Sequence, residues 1–174
     1  MIILVPMTEP EYSEYVAESS SGYAAEKVAS GEWTEEESLG LAQEELNTLL
    51  PQGLSTKDNY LFTIRKAPDM PVLGILWYAV RKRAGKPVAY IYDIIINPEH
   101  QRKGYATAAM RKVEAEVLRR GLSGISLHVF GHNHAARSLY DKMGFTPSNI
   151  VMFKPVDNTS PLMPSANKAR GKFK

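Results

Sequence analysis

The stretch from Val88 to Phe130 constrains the fold more than any other. Val88–Ile96 is built of β-branched and aromatic residues, apolar throughout except for Asp93. After the polar turn Asn97–Lys103, helical spacing over 104–120 puts Ala106, Met110, Val113 and Val117 on one face, opposite Arg111, Lys112 and Arg119. Gly121 and Gly124 end that helix, and Ile125–Phe130 has strand composition again. A strand, a helix and a strand in that order require a right-handed crossover, so 88–96 and 125–130 are predicted to be parallel neighbours. Upstream, Tyr60–Arg65 and Val72–Val80 connect to each other and to 88–96 only through the turns KAPDMP and RKRAGKP. That spacing predicts an antiparallel meander. The sheet must therefore be mixed.

The flanking segments supply its cover. Residues 1–5 read as a short strand closed by Pro6. Thr8 with Glu11, and Thr34 with Glu37, match the T-x-x-E signature of a helix start. The first helix carries Tyr12, Val16, Ser19 and Tyr23 on a loose stripe and is expected to be interrupted near Gly22. The second presents Leu39, Ala42, Leu46 and Leu49 and stops before Pro51, with Glu35 and Glu36 suited to the positive end of its dipole. A short helix over 134–143 turns Ala136, Leu139, Tyr140 and Met143 to one side and is stopped by Gly144. Phe145 and Ile150–Phe153 are expected to add closing strands. The fold class is α/β (α+β): one domain over 1–157, a mixed and mostly antiparallel sheet, helices on both faces. Residues 158–174 read as a flexible basic tail.

Composition narrows the chemistry. With no cysteine, the chain has no disulfide, thiolate nucleophile or cysteine-bearing zinc site. The longest apolar stretch, Leu73–Val80, is far short of the ~20 residues that span a bilayer. The opening MIILVPM lacks a basic leader region. We expect a cytoplasmic protein with no membrane partner. The net charge of +2 owes +4 to Lys168, Arg170, Lys172 and Lys174, so the body is slightly acidic. Phe173 is the tail's only aromatic residue, and no nucleic-acid partner is expected. The sequence leaves a homodimer open.

Ligands in such sheets gather where parallel strands end and helices begin. The turn NPEHQRKGYA lies there. Gly104 and Ala106 keep the helix opening small, and Arg102 and Lys103 add charge beside free amides, an arrangement that suits a pyrophosphate. A solvated turn is the plain alternative. Asp93 must reach a wet cleft or find donors, because an unpartnered buried carboxylate is costly. A partly buried acid with a raised pKa suits proton removal from an amine; an acid tied to backbone, tyrosine or arginine is the structural reading. Glu26, Glu35, Glu36 and Glu37 are rival acids. Tyr140, on the apolar side of a short helix, needs an outlet for its hydroxyl. His128, His132 and His134 straddle a strand-to-loop change, so no metal site is expected, although His128 could assist as a base. Tyr23, Trp33, Tyr60 and Trp77 are candidate aromatic walls for an acceptor, or core.

Gln101-x-x-Gly104-x-Ala106, followed by Asn133-x-x-Ala136-x-x-Leu139-Tyr140-x-x-x-Gly144-Phe145, resembles the two signatures of the GCN5-related N-acetyltransferases. The stretches KVASGEW and LLPQGL also resemble bacterial members of that family. The resemblance implies a sheet splayed at its central parallel pair and acetyl-CoA as acetyl donor. Main-chain groups of Ile94, Ile95 and Ile96 would then meet pantetheine. Gln101, Arg102, Lys103, Gly104, Tyr105, Ala106 and Thr107 would hold the pyrophosphate, and Asn133, with Ala136 in its motif, would lie near the cofactor. Tyr140 would be the general acid or hold the cofactor sulfur, and Asp93 or an ordered water would be the base, with a small-molecule or peptide amine as acceptor. A non-catalytic CoA-binding module is the alternative.

Overall fold

The computed structural model describes residues 1–156, and the predicted tail over 158–174 lies outside the described residues. Five strands form one sheet in the order β1-β2-β3-β4-β5: Ile3–Pro6, Asn59–Arg65, Gly74–Arg83, Lys86–Ile96 and Ile125–Leu127. Only β4 and β5 are parallel, as the crossover requires. The helices are α1 (Glu9–Ala29), α2 (Glu35–Leu49), α3 (Tyr105–Arg119) and α4 (His134–Lys142).

Two cores hold the helices to opposite faces. On one face, Ala109, Met110, Val113 and Val117 of α3 pack on Ile64, Leu76, Tyr78, Ala89 and Ile91. On the other, Tyr15 of α1 and Leu46 of α2 pack on Leu61 and Trp77. The Thr8 N–H donates to Glu11 Oε2 at 2.8 Å, and Glu11 pairs with Arg65 of β2, so the start of α1 is fixed to the sheet. α1 runs unbroken through Gly22, where the sequence suggested an interruption. A helical glycine costs only about 1 kcal/mol, and nothing crowds this one. α2 buries Ala42 and Leu46 and packs Leu49 on the core as its spacing predicts, but at its start Ser38 is buried and Leu39 faces solvent.

The largest departure from the sequence reading follows α4. The Phe145 N–H donates to the Tyr140 carbonyl at 3.0 Å around Gly144 (φ +84°), a Schellman-type stop, and Phe145 packs against the core. Neither it nor Ile150–Phe153 forms a strand. β5 is only three residues long, because the chain leaves the sheet at Leu127. Apolar β-formers pair only where an edge in register is offered, and without one Val151, Met152 and Phe153 lie exposed.

β4 contains the irregularity that matters most. Trp77 pairs with Asp93 and Tyr78 with Ile91, so Tyr92 is an extra residue, a β-bulge. Ala89 and Ile91 face α3, and so do Ile94 and Ile96; Tyr92 and Asp93 both face α1 and α2. The bulge reverses the phase of the strand. Below it, β3 and β4 approach closely at Gly74, where a Cβ would stand 2.1 Å from the Ile95 carbonyl oxygen. Gly74→Ala is therefore expected to lower stability by about 2 kcal/mol or more, as backbone must move to admit the methyl group. Denaturant unfolding of the variant and the parent measures the difference.

Candidate active site

β4 and β5 pair only over Ala89–Ile91 and Ile125–Leu127, and then part. β4 continues to Ile96, still held by β3 on its other side. Main-chain groups alternate in direction along an antiparallel pair. The Asn97 N–H donates to the Leu73 carbonyl at 2.9 Å, and the Ile95 carbonyl also faces β3, close to Gly74. Ile94 and Ile96 consequently turn their main-chain groups to the open edge. The Ile95 side chain is 44% exposed.

The loop that follows is tied to this edge, since Gln101 Nε2 donates to the Ile96 carbonyl at 3.0 Å. Arg102 (φ +60°) and Gly104 (φ +79°) both adopt left-handed backbone, which gathers amides into a concavity. Ala108 N–H to the Gly104 carbonyl, at 3.0 Å, is the first turn of α3, so the amides of Tyr105, Ala106 and Thr107 lie ahead of any intrahelical acceptor. A Cβ on Gly104 would meet nothing within 4 Å, so the concavity opens outward. Lys103 Nζ is held by the Glu99 carbonyl at 2.6 Å, whereas Arg102 is exposed. From Thr107 a groove of about 440 Å³ runs between α3 and α4, with Arg111, Leu139 and Lys142 among its walls. The groove thus begins at the amide-bearing turn and sets Arg111 and Lys142 against a single carboxylate, Glu114.

Asp93 occupies the opposite side of the parted strands. Tyr15 Oη donates to its Oδ2 at 3.2 Å and Ser19 Oγ at 3.3 Å. Burial lifts its pKa to about 6, against the lowering effect of those two hydroxyls and of the Ile94 N–H. Tyr15 is itself braced. Its ring meets Trp77 edge-on at 6.5 Å, Trp77 stacks on Tyr92 at 4.4 Å, and Trp77 Nε1 donates to Asn59 Oδ1 at 2.9 Å. The sequence reading passed over Tyr15 and gave Ser19 no role beyond the helix stripe. Two hydroxyls four residues apart on a weakly amphipathic helix were the available signal.

Tyr140 is the one buried residue of α4, with its ring 5.5 Å from Phe145. Burial raises its pKa and the charge of Asp93 raises it further, so the two candidates lie in one electrostatic field. Asn133 Oδ1 caps α4 by accepting the Ala136 N–H at 3.0 Å, which leaves its Nδ2 for another partner. His128 and His132 share the Phe130 ring, the first edge-on and the second stacked, and His132 Nε2 also lies 2.5 Å from Glu26 Oε2. Among the described residues no three acidic, histidine or cysteine side chains converge as metal ligands, and no helix is long and apolar enough to cross a membrane. Of the candidate aromatic walls, Trp77 is core, and Tyr60 stacks on Tyr78 beneath Arg120. Tyr23 and Trp33 are half-buried on the α1–α2 side.

Comparison with known proteins agrees with this geometry. Residues 24–145 match the model of the acetyltransferase (GNAT) family. The chain is 34% identical over 153 residues to the uncharacterised N-acetyltransferase YycN of Bacillus subtilis, covering 88% of this chain and 97% of YycN. It is 29% identical over 151 residues to a second B. subtilis protein of that description, YdgE, covering 87% and 96% of the two chains. The crystal structure of YycN superposes with a TM-score of 0.85 at 32% identity, over 91% of this chain and all of that one. Parted parallel strands, an amide-lined turn at the start of α3 and sequence relatedness along most of the chain lead to one conclusion: this protein belongs to the GNAT family and is an N-acetyltransferase.

Proposed function

We propose that the protein transfers the acetyl group of acetyl-CoA directly to a primary amine within a ternary complex, with Asp93 as general base and Tyr140 as general acid. The observation that carries this reading is the placement of Asp93, a carboxylate held by the hydroxyls of Tyr15 and Ser19 where β4 and β5 part, with burial lifting its pKa to about 6. Acetyl-CoA, the family's co-substrate, supplies an activated acetyl group and a sulfur leaving group that needs a proton.

The residues present suit that molecule. The Ile94 carbonyl and the Ile96 N–H, whose companion groups are held by Asp93 and Gln101, offer an acceptor and a donor to the amides of pantetheine, while Ile95 is bonded towards β3. Gln101, Arg102, Lys103 and Gly104 shape the loop whose amides, with those of Tyr105, Ala106 and Thr107, face a pyrophosphate. Asn133 Nδ2 and the Ala136 turn form the opposite wall. Asp93 takes a proton from the acceptor's ammonium group. The amine nitrogen bonds to the acetyl carbonyl carbon, the carbon–sulfur bond breaks, and Tyr140 Oη gives its proton to the sulfur. The nitrogen sheds its second proton to solvent as the carbon–sulfur bond breaks, and water in the cleft carries the proton on Asp93 back to Tyr140, so that one proton is released per turnover. No cysteine exists to carry the acetyl group, which favours the direct route. Release of free thiol from acetyl-CoA in the presence of pooled amines tests the reading, since a binding module would hold the molecule without turnover.

Three variants resolve the roles. Gly104→Asp places an anion and a side chain in the amide concavity, so acetyl-CoA affinity by calorimetry should fall about tenfold. Asp93 works as a base only when ionised, so kcat/KM should rise as pH climbs through about 6. Asp93→Asn should remove that limb and lower kcat/KM by roughly 10²–10⁴-fold. Stability should move the other way. The folded pKa exceeds the unfolded one, so the contribution of Asp93 is full below about pH 4 and is lost as pH rises through about 6. The Asn variant should not show that decline in melting temperature. Tyr140→Phe keeps the ring and should lower kcat by roughly 10–1000-fold while the melting temperature holds. An unchanged kcat would return Tyr140 to a packing role.

A further inference from the structure

Residues 1–50 contain eleven glutamates, no aspartate and a single cation, Lys27. They form the helical pair α1–α2, which covers the sheet face bearing Asp93. Tyr15, Ser19, Tyr23 and Lys27 recur every fourth residue of α1. At 1.5 Å per residue, Tyr23 stands ~6 Å and Lys27 ~12 Å along the helix from Ser19, which itself touches Asp93. One stripe of α1 therefore leads from the base to the lysine.

The surroundings of that lysine are specific. Its Nζ lies 5.6 Å from the Tyr23 ring centroid, 5.3 Å from that of Trp33 and 2.6 Å from Glu32 Oε2. The two rings meet edge-on at 5.6 Å, and Phe130, from the segment beyond β5, approaches Tyr23 at 6.4 Å. The Lys27 side chain is only 15% exposed. Two aromatic faces and a carboxylate around an ammonium constitute a binding set for a primary ammonium ion. In the free protein, the chain's own lysine fills it.

We propose that Tyr23, Trp33 and Glu32 are specificity-determining residues that receive a second positive charge of the acceptor, displacing Lys27, and that the acceptor is a small linear polyamine. This inference rests on the proposed acetyl transfer, with one nitrogen of the acceptor at Asp93 and another between the rings. The ~6–12 Å from Ser19 to Tyr23 and Lys27 matches nitrogens separated by a short alkyl chain. The surrounding glutamates add a field that concentrates polycations and disfavours acidic acceptors.

Spermidine and n-butylamine, each with acetyl-CoA, provide the test. The kcat/KM for spermidine should exceed that for the monoamine by tenfold or more. Trp33→Ala should cut this ratio by roughly tenfold and Trp33→Tyr should restore it; a purely structural loss would lower both values in parallel. Lys27→Met should tighten spermidine binding to the protein alone, measured by calorimetry, because the intramolecular competitor is gone. Equal turnover of the two amines, a ratio unmoved by Trp33→Ala, or weaker spermidine binding in Lys27→Met would overturn the proposal. So would calorimetric binding of a lysine-rich peptide in preference to spermidine. Spermidine bound as expected but never acetylated, with acetyl-CoA present, would leave the cation site standing and remove the proposed catalytic reading instead.

Discussion

One additional residue in β4 determines the rest of the site. Side chains in a strand alternate with a period of two, so a strand in regular register with Ile91 facing α3 would send Asp93 into the packed layer of Met110 and Val113. The bulge at Tyr92 puts two successive residues on the α1 side and then restores the alternation, so Ile94 and Ile96 return to the α3 core. A charge that would have been intolerable in one layer becomes partnered in the other. Bulges also bend and twist the strand that contains them, and this one lies just where β4 and β5 separate. The same irregularity thus aims the acid and accompanies the opening beside it.

The two sides of that opening have opposite characters. Towards α3 and α4 lie the amides of the turn beside Arg102 and a groove in which Arg111 and Lys142 outnumber Glu114, a balance that favours anions. Towards α1 and α2 lie hydroxyls, rings and glutamates, which favour cations. Under the proposed reactions, a charged donor and a charged acceptor would each be drawn to its own side by the long-range field before any contact forms. Hydroxyl donors on Asp93 link the two halves, because the acid is positioned by a helix of the acidic side.

Much of this was legible in the sequence because it depended on periodicity. The crossover from Val88 to Phe130, the α3 face and the turn ending in Gly104 follow from spacing alone, and the parallel pair forms as those patterns require. The motif containing Asn133 and Tyr140 marked a helix whose cap and single buried residue are those two side chains. The partners of Asp93 were less accessible. Tyr15 and Ser19 lie more than seventy residues earlier, and the bulge that turns Asp93 towards them has no local signature. Ile150–Phe153 misled for the converse reason: composition reports that a segment can pair, whereas pairing needs a neighbouring edge that β5, three residues long, does not extend to it. Leu39 shows a smaller version of the same effect: spacing marks it as apolar, yet its neighbour Ser38 is the residue the fold covers.

α4 is fixed to the body by one buried residue, whereas α3 is fixed by four. Local opening free energies range from near zero for sparsely buried segments to the global value for the core. α4 thus belongs to the weakly protected part of the domain, and its backbone amides should exchange with solvent well before those of α3. The groove between the two helices accordingly has one rigid bank and one yielding bank. A molecule seated there would be freed by local opening of α4 alone, with the sheet and the acid on its far face left in place.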